Sequence, residues 1–76
     1  MRISIEYCNI WNYFPKASSL EAELKLKFPD LKTELVSSGG GVFEVTLDGN
    51  LIFSKKLLDR FPDTGEIEKL IKKHLK

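Results

Sequence analysis

The sequence predicts a mixed α/β domain in the order strand, helix, strand, strand, strand, helix, and three observations carry that expectation. Apolar residues alternate with polar ones near the start of the chain and again at residues 42–47, the two-residue period of half-buried strands. Apolar residues at helical spacing occupy residues 17–28 and 67–75. An Asp48-Gly49-Asn50 turn joins two apolar runs, the mark of an antiparallel hairpin. A strand-helix-strand opening implies a right-handed crossover to a parallel neighbour, and the hairpin adds antiparallel strands to the same four-stranded sheet, with the two main helices covering it.

Each element has its own reason. From Arg2 to Tyr7, Ile3, Ile5 and Tyr7 fall on one face and Arg2, Ser4 and Glu6 on the other, which makes the first strand. Cys8-Asn9-Ile10-Trp11-Asn12 follows as a loop, and Pro15 stands in the first turn of a helix, where its missing N–H costs nothing. Ala17, Leu20, Leu24 and Phe28 form the apolar stripe of that helix, and Pro29 ends it at Phe28 by disfavouring helical geometry in its predecessor. Lys32 to Ser37 carries Thr33, Leu35 and Val36 and reads as the second strand. Ser37-Ser38-Gly39-Gly40-Gly41 breaks the chain before the strand Val42–Leu47, and the turn leads into Leu51-Ile52-Phe53-Ser54. Asp63-Thr64-Gly65-Glu66 resembles a capping box, and Ile67, Leu70, Ile71, His74 and Leu75 mark the buried stripe of a final helix, with Glu68 and Lys72 paired on its wet face.

A chain of 76 residues corresponds to one domain, residues 1–76, with little room for a large ligand cavity. Hydrophobic residues make up 42%, enough to argue against disorder. Twelve basic residues against eleven acidic ones leave a net charge of +1, which gives no electrostatic reason to expect a nucleic-acid partner. The basic run Lys72, Lys73, His74, Lys76 is what the negative end of a helix dipole attracts. No apolar run approaches the length of a membrane span, and the single cysteine, Cys8, excludes an intramolecular disulfide. These features suit a protein of the cytoplasm.

In this topology the end of the first strand, the loop after it and the start of the first helix meet at one edge of the sheet, where reactive groups are commonly placed. Cys8 lies at that junction, where backbone N–H groups and the helix dipole favour a thiolate, with Lys16 as a further source of positive charge. A free cysteine is also, often, no more than a small buried hydrophobe. Both readings of Cys8 stand on position alone.

Tyr7-Cys8-x-x-x-x-Tyr13, Phe28-Pro29, Gly39-Gly40-Gly41-Val42-Phe43-Glu44-Val45, Asp48-Gly49, Leu51-Ile52-Phe53-Ser54-Lys55-Lys56 and Phe61-Pro62 occur in order along nearly the whole chain. In these the sequence resembles the selenoprotein W (Rdx) family of thioredoxin-like proteins. The resemblance implies a thioredoxin-like fold and a redox motif, Cys-x-x-Cys or Cys-x-x-selenocysteine, in the loop after the first strand. It also implies thiol redox control with glutathione or client-protein thiols as partners, and no bound cofactor. Cys8 takes the attacking position of that motif, and Trp11 stands where its second thiol or selenol belongs. The dithiol cycle, in which a second thiol attacks a mixed disulfide, is therefore closed to this chain, leaving monothiol chemistry resolved by an external thiol. Trp11 has a second reading, as a cover that suppresses reaction at Cys8.

The same resemblance sets the loop entering the third strand opposite Cys8, so Asn9, Ile10, Gly39, Gly40, Gly41 and Val42 become candidates for holding a thiol partner. Three glycines admit close backbone approach, and their N–H and C=O groups are suited to pairing with a bound peptide; a plain flexible loop is the blander reading. An alternative function is a redox-inactive adaptor that binds protein through Trp11, Tyr13 and Phe14. The remaining candidates have structural explanations. His74 on the apolar stripe is a partly buried residue at a helix end, Asp59, Asp63 and Glu66 are capping acids, and Ser37 and Ser38 lack a neighbouring base. One histidine and one cysteine do not make a metal site.

Overall fold

A computed structural model describes residues 1–75. The alternation in the first segment becomes β1 (Arg2–Cys8), with Ile3 and Ile5 fully buried on one face and Ser4 and Glu6 half-buried on the other. The chain then enters α1 (Phe14–Lys27), with Pro15 in its first turn. Phe28 caps α1 at φ −131°, the extended backbone that the following Pro29 imposes. β2 (Lys32–Ser38) returns parallel to β1, with Ile5 beside Leu35 and Cys8 beside Ser38. β3 (Phe43–Leu47) runs antiparallel to β1 on its other side, and β4 (Asn50–Ser54) pairs antiparallel with β3. Asp48 and Gly49 turn that hairpin with φ of 47° and 85°, the paired positive angles of a two-residue turn matched to strand twist. The sheet order is β2-β1-β3-β4, the mixed four-stranded sheet expected of a thioredoxin-like domain.

Two further helices complete the chain, α2 (Lys55–Leu58) and α3 (Glu66–His74). Ala17 and Leu24 of α1 join Ile67 and Ile71 of α3 in one apolar cluster with Ile3, Ile5, Phe43, Val45, Leu47 and Phe53. Both main helices therefore cover the same face of the sheet, and the Lys27 ammonium of α1 reaches the Glu68 carboxylate of α3 at 3.5 Å. The opposite face carries Ser4, Glu6, Glu44 and Thr46, which explains why β1 and β3 alternate so cleanly.

Several expectations are corrected. The short helix α2 has no mark in the sequence, because four residues are too few to display a helical period. Cys8, expected in the loop, is the last residue of β1, since its N–H donates to the Val42 carbonyl at 2.9 Å. His74 and Leu75, expected on the buried stripe, are exposed, because α3 runs past the edge of its apolar contacts after Ile71. The capping box forms by half. Glu66 accepts the Asp63 N–H at 2.9 Å, but Gly65 is the N-cap, with φ 80°, and the Asp63 carboxylate is exposed beside Arg60.

Candidate functional site

Cys8 sits at the carboxyl end of the central strand β1, with every neighbouring backbone group fixed. Its N–H is given to Val42, its carbonyl accepts the Tyr13 N–H at 2.9 Å, and the next residue, Asn9, donates to Ser38 at 2.9 Å. Residues 9–12 thus leave the strand and return to it within one short loop, closed by Asn12 N–H on the Asn9 carbonyl and turned by Asn12 at φ 58°. The Trp11 N–H points into this loop and donates to Cys8 Sγ at 3.4 Å. The sulfur has no exposed surface. Cys8 is therefore a buried thiol that accepts a backbone hydrogen bond, set apart from the apolar cluster between sheet and helices.

The glycine run supplies the facing wall. Gly40 and Gly41 have φ of 71° and 73°, a left-handed pair that reverses the chain between β2 and β3. The Trp11 indole lies directly on Gly41: a Cβ on that glycine would fall 2.5 Å from Cζ3 and 2.9 Å from Cε3 of the ring. Gly41 is buried beneath it. Ile10 similarly sits over Gly39, its Cδ1 3.7 Å from where a Cβ would be. Sequence reasoning gave the close approach at Gly41 to a bound partner, whereas in the structure it is made by the chain's own Trp11. The carbonyls of Ser38 and Val42, at the two ends of the run, are likewise taken by Asn9 and Cys8.

The aromatic residues divide by exposure. Tyr7 belongs to the core and packs edge-on against Phe14 at 5.6 Å. Tyr13 is half-buried between Trp11, at 6.1 Å, and Phe61, at 4.7 Å, and Phe61 continues the run to Phe43 at 5.3 Å. Ile10, Trp11 and Phe14 remain 80%, 59% and 46% exposed. Lys16, expected to add charge near the thiol, instead holds its ammonium 4.5 Å above the Phe61 ring, a cation–π contact that composition and spacing do not reveal. A cleft of about 360 Å³ opens between α1 and residues 61–68, floored by Leu20, Phe43 and Phe61; Cys8 is not among its walls. Among the described residues no cluster of His, Cys, Asp and Glu is arranged to hold a metal ion, and no helix is long and apolar enough to cross a membrane.

Comparisons with known proteins bear on the family and the fold. The family model described as the Rdx family matches residues 2–73. Selenoprotein W of Gallus gallus is 37% identical over 67 residues, covering 84% of this chain and 79% of its own. A Bordetella parapertussis protein of known crystal structure superimposes with a TM-score of 0.91 at 28% identity, over 96% of this chain and 95% of its own. A selenoprotein W-related protein from Vibrio cholerae superimposes at 0.90 with 24% identity, over 99% and 96% of the two chains, which speaks to the fold alone.

Proposed function

This chain belongs to the Rdx family of selenoprotein W-like, thioredoxin-like proteins, and we propose that it is a monothiol redox protein acting through Cys8. The observation that carries the proposal is the position of the chain's only cysteine at the end of the central strand, with its sulfur bonded to the N–H of Trp11, the residue in the second motif position. The Cys8 thiolate attacks the glutathione sulfur of a glutathionylated client; a Cys8–glutathione disulfide forms and the client sulfur leaves as a thiolate. A second glutathione thiolate then attacks the mixed disulfide, releasing oxidised glutathione and regenerating Cys8. No second protein thiol is required. The reaction belongs in a reducing, glutathione-rich compartment such as the cytosol, with no bound cofactor. In this reading Asn9, Ile10 and the Gly39 to Val42 segment are the residues that would meet the incoming disulfide; the Cys8 N–H bond to the Val42 carbonyl supports it.

Intact mass after incubation with oxidised glutathione tests this reading. One glutathione adduct is expected per chain, absent from Cys8→Ser and removed by excess reduced glutathione. Absence of any adduct overturns it.

A second reading is favoured by one observation, the exposure of Ile10, Trp11 and Phe14 beside the buried thiol. Such a patch suits a redox-inactive adaptor that binds protein through Trp11, Phe14 and the edge of Tyr13. A partner bound in that way is retained by Cys8→Ser and lost by Trp11→Ala. Thiol chemistry gives the reverse pattern.

A further inference from the structure

A sulfur with no exposed surface cannot be attacked by a disulfide, so chemistry at Cys8 demands that something move. The covering element is identifiable. Residues 9–12 leave and rejoin the body of the protein at two fixed points, Asn9 on Ser38 and Tyr13 on Cys8. Between those points the loop is held by the Trp11 N–H on Cys8 Sγ, the internal Asn12 to Asn9 bond, Ile10 over Gly39 and the indole on Gly41. None of its side chains enters the apolar cluster between sheet and helices, so displacing it leaves that cluster intact.

Resting on the thiol reading above, we propose that residues 9–12 are a lid over Cys8, latched by the Trp11 indole seated on the bare backbone of Gly41. The latch has two matched halves. A flat ring supplies the moving part, and a glycine supplies the seat, because a side chain at residue 41 would occupy the volume of the ring. The left-handed φ of 73° at Gly41 presents that backbone surface to the ring and is one that other residues rarely adopt. Opening breaks the Trp11 N–H to sulfur bond and lifts the indole in one motion, exposing the thiol and the Gly39 to Val42 wall together. The residue that replaces the second thiol of the motif thereby controls access to the first.

The test is the alkylation rate of Cys8 by iodoacetamide in the folded protein, measured in urea concentrations below the unfolding transition. A lid opens by local fluctuation and exposes little surface, so the wild-type rate is expected to be nearly flat with urea. A rate that rises with the full urea dependence of global unfolding overturns the proposal, and this arm needs no variant. In Trp11→Ala and Gly41→Ala, with folding checked by circular dichroism and a cooperative melt, alkylation is expected to accelerate at least tenfold. Folded variants that alkylate at the wild-type rate overturn it as well. The two readings fail separately: a Trp11→Ala thiol that alkylates fast yet forms no glutathione adduct sinks the redox function and keeps the lid, whereas wild-type adduct formation with unchanged variant rates sinks only the lid.

Discussion

Glu66 joins three parts of the chain through one carboxylate. It accepts both arms of the Arg60 guanidinium at 2.7 and 2.9 Å and the Asp63 N–H at 2.9 Å, at the start of α3. The Arg60 hydrogen bond, with the Asp63 amide second, pulls its pKa from 4.5 to about 2, and the same pairing raises that of Arg60. A carboxyl held lower in the folded than in the unfolded chain contributes stability that is complete above 4.5 and lost as the pH falls toward about 2. Glu66→Gln is therefore expected to lower stability at neutral pH and to flatten its acid dependence over that window, as read by urea midpoints at a series of pH values; an unchanged pH profile refutes the assignment. At this scale the sequence was informative where position alone decides. Cys8 at the junction of the first strand and its loop, Trp11 in that loop and Glu66 at a helix start were all legible. It was silent where a side chain chooses between partners at a distance: Lys16 went to Phe61, and Trp11 closed on Gly41, thirty residues away, which no local pattern encodes.

Among the elements, α2 shows why short helices escape a periodicity argument. Its four residues bury no side chain of their own, so nothing in their spacing distinguishes them from a loop. What starts the helix is Ser54, whose Oγ accepts the Leu57 N–H at 3.2 Å and donates to Glu44 Oε1 at 2.5 Å, while Asp59 ends it in the left-handed region at φ 57°. One hydroxyl thus caps α2 and binds it to β3. Ser54→Ala removes both bonds from a buried position and is expected to cost about 1–2 kcal/mol, the upper part of the range for a lost N-cap. Chemical denaturation reads this as a lower urea midpoint with the slope unchanged, and a cost near zero would show that water replaces the hydroxyl. The longer elements were legible for the converse reason: β1, β3 and α1 each repeat their burial pattern often enough for the period to show. The end of α3 departs from the sequence expectation because an apolar stripe continues in sequence after its partner surface has stopped, leaving Leu75 57% exposed.

For the whole molecule, the decisive feature is that one sheet face does nearly all the burying. The radius of gyration is 11.5 Å, against about 11.4 Å from the scaling for a chain of this length. The core is nonetheless thin: two main helices lie on one side of four strands, and the other side carries Ser4, Glu6, Glu44 and Thr46 with the exposed Val36 and Leu51. Net stability for a chain of this size is on the order of 4–11 kcal/mol, so one core truncation removes a large share of it. Ile5 sits at the centre, fully buried, with Leu35 beside it on β2 and Val45 on β3. Ile5→Ala is expected to cost about 2–5 kcal/mol through lost burial and a cavity under α1. At about 4–8 °C per kcal/mol for domains this small, the melting temperature should fall by at least about 8 °C. Its neighbour Ser4, one position along the same strand but on the polar face, should tolerate alanine within about 0.5 kcal/mol. Thermal melts of the two variants measure the asymmetry directly. Equal costs at residues 4 and 5 would mean that this face is covered in solution, and the two-layer arrangement would have to be redrawn.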